Sequence, residues 1–300
     1  MADSNTRLLG LFGNPARHSL SPKIQNHFIS QYNKNSIYVV FEPTDNNLEQ
    51  AFIGTRNLEF IGLNVTMPFK EKVFNLVDQA DRIASFIKAV NTVKFIHDNV
   101  SSGSISIGYN TDVDGFMKSL DDKKFQWTGR KCLIIGAGGV AKSTVYGLVK
   151  KKAGKIYIYD IIESKATDLV KIFSKISSTN RFGDNRIEAI GSLEEIKSEV
   201  ADIDLIVNCS PAGMNLKSNK ELKKLLPVPS QWKLKGKFIF DMVYNPVETK
   251  FVKKGRKDGA TVINGINMLI NQAAYSFKIW FDILPDTDEI KKIILEPTSR

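Results

Sequence analysis

Cysteine and histidine are scarce in this chain, with two Cys and three His among 300 residues. Cys132 lies in Lys-Cys-Leu-Ile-Ile and Cys209 in Leu-Ile-Val-Asn-Cys. Both therefore read as small hydrophobes in buried strands, and no disulfide framework is implied. His18, His27 and His97 share no metal or triad spacing, which leaves no metal site and no hydrolytic centre. Long apolar runs are also missing. None reaches the roughly 18 residues of a membrane span, and Met1-Ala-Asp-Ser-Asn-Thr-Arg7 has no apolar signal core. The cytoplasm is the expected location. A basic stripe is absent too: the formal charge of +10 comes from 42 Lys and Arg interleaved with 32 acids. Nucleic acid and membrane are therefore not expected partners. Lys150-Lys151-Lys152 reads as a solvated helix end, and the positive excess suits an anionic substrate and cofactor.

The composition, 42% hydrophobic and 25% charged over 300 residues, suits a globular chain of two domains or one large one. Periodicity predicts strands over 8–12, 37–41, 60–65, 92–96 and 104–107. It predicts helices over 21–32, 48–56, 70–76 and 81–86, with a hairpin-like turn over 98–103 rich in Asp, Asn, Ser and Gly. A helix over 112–120 leads into a polar linker, 121–130. Strands over 131–135, 155–159, 187–190, 204–208, 237–241 and 261–263 then alternate with helices over 139–151, 163–176, 193–197 and 248–258. Near-continuous apolar strands alternating with helices define an α/β fold with a parallel sheet covered on both faces. A last helix over 266–281 precedes an acidic-then-basic tail at 286–294.

Two segments carry chemistry. In Ile61-Gly-Leu-Asn64-Val-Thr66-Met-Pro68-Phe-Lys70, a strand ends in Asn64 and Thr66. Pro68 fixes φ as it does in the first turn of a helix. Lys70 then faces the positive end of the helix dipole, unfavourable by roughly 0.3–1 kcal/mol. A lysine in that position is either incidental in a Lys-rich chain or selected for chemistry. In the second segment, Gly136-Ala-Gly138-Gly139-Val140-Ala141 follows a strand and opens a helix. It fits the dinucleotide pattern: Gly136 permits the tight turn, Gly138 lets the backbone approach a pyrophosphate, and Ala141 allows close helix packing. Amides at the helix start, from Gly139 and Val140, face the phosphates. The second strand ends in Asp160, whose carboxylate can accept both ribose hydroxyls of NAD and would repel the 2′-phosphate of NADP. The residues that follow are Ile161, Ile162, Glu163 and Ser164, with no Arg to hold a phosphate. NAD is preferred over NADP on this ground. Asp160 also suits a helix N-cap, which is compatible with that role.

Further blocks run along the whole chain. They are Gly13-Asn-Pro15, His18-Ser19-Leu-Ser21-Pro22, Ala89-Val-Asn91-Thr92-Val93 and Gly108-Tyr-Asn110-Thr111-Asp112. Later come Asn208-Cys-Ser-Pro-Ala-Gly213-Met214, Asp241-Met242-Val-Tyr244-Asn-Pro246 and Gly265-Ile-Asn-Met268-Leu with Gln272-Ala273. With the two segments above they resemble the shikimate dehydrogenase family. The resemblance implies NAD(P)-linked interconversion of 3-dehydroshikimate and shikimate. It implies two lobes with the active site in the cleft: a substrate lobe, residues 1–111 completed by 265–300, and a Rossmann-like NAD-binding lobe, residues 112–264. It also implies a proton-transfer pair, Lys70 and Asp112. Ser19 and Ser21 would hold the substrate carboxylate with Tyr244 nearby, and Asn64, Thr66, Asn91 and Gln272 would hold ring hydroxyls. Met242 and Gly265 join Gly136, Gly138, Gly139, Val140 and Asp160 as cofactor residues. By their residues alone, Ser21 also reads as an N-cap before Pro22, and Tyr244 as a partly buried core residue.

The chain departs from the family pattern in three places. Asp160-Ile161-Ile162 replaces Asn-Arg-Thr, Val113 stands where Gly is common, and Asn267 replaces a Gly. Asp160 with Val113 is similar to the NAD-using quinate/shikimate dehydrogenase branch, so quinate is the alternative substrate. A catalytically silent metabolite sensor would be expected to lose the Lys/Asp pair, and both residues remain. A small-molecule substrate and a monomer or homodimer are expected.

Overall fold

The computed structural model describes residues 3–97, 104–177, 186–215 and 219–295. The chain forms two compact units, Met1–Gly115 with Leu269–Arg300, and Phe116–Met268.

In the first unit, strands β1 (Arg7–Phe12), β2 (Ser36–Phe41), β3 (Gly62–Val65), β4 (Gln79–Ala80), β5 (Thr92–His97) and β6 (Ser104–Tyr109) make one sheet. Its order is β2-β1-β3-β5-β6-β4. Helices α1 (Ser21–Gln31), α2 (Leu48–Asn57), α3 (Lys70–Phe74) and α4 (Arg82–Ile87) connect the strands. β1 lies parallel to β2 and β3, whereas β5 runs antiparallel to β3 and β6. That reversal gathers the end of β3, the start of β5 and the end of β6 at one end of the sheet. There Asn64 pairs with Thr92, and Thr92 with Tyr109. Phe12, Phe52, Leu63, Phe69, Val73 and Phe95 form the core behind this edge, each side chain contributing about 1.5–3 kcal/mol by its burial.

In the second unit, β7 (Lys131–Ile135), β8 (Lys155–Tyr159), β9 (Arg186–Ile190), β10 (Leu205–Asn208), β11 (Phe238–Asp241) and β12 (Thr261–Asn264) form a sheet ordered β12-β11-β10-β7-β8-β9. All of its pairs are parallel. Helices α6 (Gly139–Lys150), α7 (Glu163–Ser177) and α8 (Lys250–Asp258) belong to this unit. The chain winds outward from β7 through β8 and β9, then resumes at β10 on the other side. The strand order therefore reverses between β7 and β10, where doubly wound sheets bind ligands at their carboxyl ends.

Helices α5 (Asp112–Asp121) and α9 (Gly265–Phe281) each run through a division between the units. The boundaries expected from sequence, after 111 and after 264, sit at the first residues of these helices. The C-terminal part of α9 packs on the first unit: Phe277 meets Phe28 of α1 at 5.8 Å between ring centroids, and Trp280 donates Nε1–H to Val93 O at 2.9 Å.

Several local expectations are corrected. Pro68 is not a first-turn helix residue. It follows a cis Met67–Pro68 bond in a turn that the Phe69 amide closes on Thr66 O, and α3 starts only at Lys70. The helix expected over 193–197 is a turn followed by a 3-10 helix, Lys197–Asp202. Glu195 folds back to accept the amides of Gly191 and Ser192, which closes a single turn instead of starting a helix. Cys209 lies just beyond β10 rather than inside it. The acidic-then-basic tail contains a helix, α10 (Asp288–Leu295), with acids in its first turn and Lys292 in its last, as the helix dipole favours. The hairpin-like turn expected over 98–103 lies outside the described residues. Among the described residues, no helix is long and apolar enough to cross a membrane.

Candidate active site

In the first unit, the sheet end described above assembles most of the catalytic and substrate residues singled out from sequence. Lys70 opens α3 and Asp112 opens α5. Lys70 Nζ donates to Asp112 Oδ2 at 2.5 Å, with the two side chains 21% and 8% exposed. A pair this shielded is far less screened than a surface ion pair. Asn91 Nδ2 donates to the other carboxylate oxygen, Asp112 Oδ1, at 2.9 Å, and reaches Gln272 Oε1 at 3.3 Å. Asn64 is buried, and its Nδ2 donates to Asn91 O at 3.1 Å and to Ser276 Oγ at 2.9 Å. Thr66 stands half-buried one residue beyond β3, its amide held by Phe12 O at 2.8 Å.

The two serines also come together. Ser19 Oγ donates to Ser21 Oγ at 3.0 Å and accepts the Ser21 amide at 3.1 Å. Ser21 is not the N-cap: Leu20 holds that position, without a side-chain cap bond, and Pro22 sits inside the first turn. Pro has no amide to cap, so the Ser19 hydroxyl takes the Ser21 amide instead. Glu42, which sequence reasoning missed, pins the segment leading to this pair. It follows β2, and its carboxylate accepts the amides of Ala16 at 2.6 Å and Arg17 at 3.0 Å and pairs with Arg17 Nε at 2.8 Å. The Ala16 amide first, and then the Arg17 side chain, hold its carboxyl below the usual glutamate range.

The second unit collects its own set at the carboxyl ends of its strands. Gly136 follows β7 with φ +97°, and a methyl group there would lie 2.7 Å from Ser210 N. Only a residue without Cβ fits that turn. At the start of α6 a Cβ on Gly138 or Gly139 would meet no atom within 4 Å, and Gly138 caps the helix without a side chain. Val140 is half-buried in the first turn. The helix therefore presents open amides, the donor set that a dinucleotide pyrophosphate needs. Asp160 follows β8. Its Oδ2 accepts the Ala137 amide at 2.7 Å and its Oδ1 the Ile162 amide at 2.8 Å. Met242 follows β11 and Gly265 follows β12. They are neighbours, since a Cβ on Gly265 would lie 2.4 Å from Met242 O. Tyr244 belongs to this unit and not to the one holding Ser19 and Ser21; burial raises its hydroxyl pKa.

Two buried polar groups brace this end of the sheet. Asp241 Oδ1 accepts from Asn208 Nδ2 at 2.9 Å and from the Val243 amide at 3.1 Å, while Thr249 Oγ1 donates to Oδ2 at 2.5 Å. Burial raises the Asp241 pKa despite these donors. Asn208 and Asp241 stood in the quoted blocks without a role, and their signal was a polar residue closing an apolar strand. Burial pushes the Cys209 thiol up to about 12 and the Cys132 thiol higher still, so both stay protonated and unreactive near neutral pH. Among the described residues no cluster of His, Cys, Asp and Glu could hold a metal ion.

A doubly wound parallel sheet with a glycine turn at its switch point, joined in one chain to a second α/β unit, is the architecture of a dinucleotide-dependent oxidoreductase. Family models match residues 11–93 as "Shikimate dehydrogenase substrate binding domain", 119–253 as "Shikimate / quinate 5-dehydrogenase" and 265–295 as "Shikimate 5'-dehydrogenase C-terminal domain". The shikimate dehydrogenase (NADP(+)) of Caldanaerobacter subterraneus subsp. tengcongensis is 36% identical over 287 residues, covering 95% of each chain. The structure of shikimate 5-dehydrogenase from Listeria monocytogenes in complex with shikimate and NAD superposes with a TM-score of 0.84 at 27% identity, covering 98% of each chain. Quinate dehydrogenase from Corynebacterium glutamicum in complex with NAD gives a TM-score of 0.82 at 26% identity, covering 97% of this chain and 99% of that one. The chain belongs to the shikimate dehydrogenase family, and it is an oxidoreductase.

Proposed function

We propose that this protein interconverts 3-dehydroshikimate and shikimate with NAD as its favoured carrier. The observation that carries the reading is the Lys70–Asp112 pair, with Asn91 and Gln272 beside it in one unit. When bound, the dinucleotide supplies or takes up the hydride. Reduction of a ketone leaves an alkoxide, and the Lys70 ammonium gives it a proton. Asp112 orients that ammonium through Oδ2 while Asn91 holds Oδ1, so the donor is aimed before substrate arrives. Ser19 and Ser21 turn their hydroxyls from each other to the substrate carboxylate. Asn64, Thr66, Asn91 and Gln272 receive the ring hydroxyls.

NAD is preferred because the Asp160 carboxylate, at the end of β8, would repel the 2′-phosphate of NADP. Ile161 beside it is 88% exposed and offers no cation. Gly136, Gly138, Gly139, Val140, Met242 and Gly265 complete the cofactor set. The curated relative is named for NADP(+), and this chain departs from the family's Asn-Arg-Thr pattern at the residues that would read that phosphate.

Quinate is the second substrate to weigh, because Asp160 and Val113 together are similar to the NAD-using quinate/shikimate branch. Val113 is fully buried beside Asp112. The test is a steady-state assay with shikimate and quinate, each with NAD and NADP. The expected order of kcat/KM puts shikimate with NAD first. Strong NADP preference would overturn the reading of Asp160, and quinate turnover without shikimate turnover would overturn the substrate.

A further inference from the structure

Beneath the Lys70–Asp112 pair lies a file of buried polar side chains that ends at Tyr38. Tyr38 is 1% exposed, and its hydroxyl donates to Asn64 Oδ1 at 2.9 Å. Asn64 Nδ2 donates to Thr92 Oγ1 at 3.1 Å. Thr92 Oγ1 donates to Asn91 Oδ1 at 3.0 Å, and Asn91 Nδ2 donates to Asp112 Oδ1.

Backbone groups fix the direction of every link. The Thr111 amide, which can only donate, points to Asn91 Oδ1 at 2.8 Å. Asn91 must therefore present its oxygen on that side and its NH₂ toward Asp112. The carbonyl of Asn91, which can only accept, receives Asn64 Nδ2 at 3.1 Å. Asn64 must therefore present NH₂ toward Thr92 and its oxygen toward Tyr38. Thr92 is the one member facing both amides. Its hydroxyl donates to Asn91 Oδ1 beside the Thr111 amide and hydroxyl, accepts Asn64 Nδ2, and lies 2.8 Å from Ser276 Oγ and 3.3 Å from Thr111 Oγ1. Thr92 itself is fully buried, so water cannot substitute for a missing partner.

We propose that Thr92 is a positioning residue for the reaction: its hydroxyl locks both asparagine amides and, through Asn91, the carboxylate that aims Lys70. The inference rests on the proposed role of the Lys70–Asp112 pair. Without the hydroxyl, Asn91 Oδ1 loses one donor and Asn64 Nδ2 one acceptor in a dry site. Asn91 Oδ1 keeps the Thr111 amide and hydroxyl, and Asn64 Nδ2 keeps Asn91 O and Ser276 Oγ, but the hydroxyl that ties one amide to the other is gone and Asp112 is aimed less tightly.

The test compares wild type, Thr92→Val and Thr92→Ser. Val keeps the shape and removes the hydroxyl, while Ser keeps the hydroxyl and removes the methyl. Steady-state kinetics with shikimate and NAD are read with thermal unfolding. Thr92→Val is expected to lower kcat/KM for shikimate roughly tenfold, the size of one lost buried hydrogen bond, with KM for NAD unchanged. Thr92→Ser is expected to recover most of the loss, which a purely packing role of the side chain would not allow. Tyr38→Phe removes only the far hydroxyl and is expected to shift the same parameter in the same direction by less. It keeps the inference testable if Thr92→Val does not fold. An active wild type whose Thr92→Val and Tyr38→Phe variants retain its kcat/KM would overturn the inference alone. A wild type inactive on both shikimate and quinate would overturn the functional reading and the inference with it.

Discussion

The carboxylate of Asp160 accepts the Ala137 amide at 2.7 Å, so the residue that closes β8 also holds the glycine turn after β7. Removing this side chain would loosen the turn as well as alter cofactor choice. The cleaner change is at Ile161, which is 88% exposed and takes no part in the turn. Ile161→Arg is expected to raise kcat/KM for NADP roughly two- to fivefold, the worth of one exposed ion pair, without lowering the melting temperature. Adding Asp160→Asn, which removes the repelling charge, is expected to raise it further. The measured quantity is the NADP-to-NAD ratio of kcat/KM. An unchanged ratio in both variants would put the discrimination elsewhere.

Lys70→Ala is expected to reduce turnover by about 10²–10⁴, the usual contribution of a positioned proton donor, while shikimate affinity by calorimetry changes much less. Normal turnover with weakened binding would recast Lys70 as a substrate ligand.

Gly136 and Gly139 give a paired test of the turn. Gly136→Ala forces a side chain onto φ +97° with its methyl 2.7 Å from Ser210 N. Left-handed backbone alone costs about 1–2 kcal/mol, so both thermal stability and NAD binding are expected to fall. Gly139→Ala meets no protein atom within 4 Å. Its melting temperature is expected to hold or rise, because Ala suits a helix better than Gly by roughly 0.5–1 kcal/mol, while NAD binding weakens. Unweakened NAD binding in Gly139→Ala would argue that no phosphate approaches the start of α6.

Glu42 gives a pH-dependent outcome with a definite sign. Its folded pKa lies below the ordinary glutamate value, first through the Ala16 amide and then through Arg17. The stability it adds is complete above about pH 4.3, the unfolded value, and fades as pH falls through the folded one. The difference in denaturation midpoint between wild type and Glu42→Gln is therefore expected to shrink from pH 7 toward pH 3. A constant difference would assign the effect to something other than the carboxylate charge.

Much of this fold was legible because burial wrote it into the sequence. β7 and β8 read as apolar runs since both of their faces are covered, and the glycine turn was legible because its φ admits few alternatives. β4, at two residues, is too short to leave a periodic pattern. Glu195 looked like a helix residue because its side-chain bonds back to Gly191 and Ser192 leave no mark on periodicity. The polar file was invisible for a related reason. Thr92 and Tyr38 are ordinary strand residues by propensity. Only the antiparallel register of β5 against β3 and β6 shows that Thr92 stands between two amides. Glu42 and Ser276 likewise touch partners far away in the chain.

The route of α9 has a consequence for how the protein is made. Gln272, Ser276, Phe277 and Trp280 all belong to the unit that holds β1 to β6, yet they leave the ribosome after the whole of the second unit. The second unit is contiguous and has all its strands once β12 has emerged. Domains generally fold as units during synthesis, so here the nascent middle segment can fold before the N-terminal one. Until α9 arrives, the N-terminal sheet lacks Trp280 over Val93 and Phe277 over Phe28. A stop codon after β12 would therefore harm the beginning of the protein more than its middle.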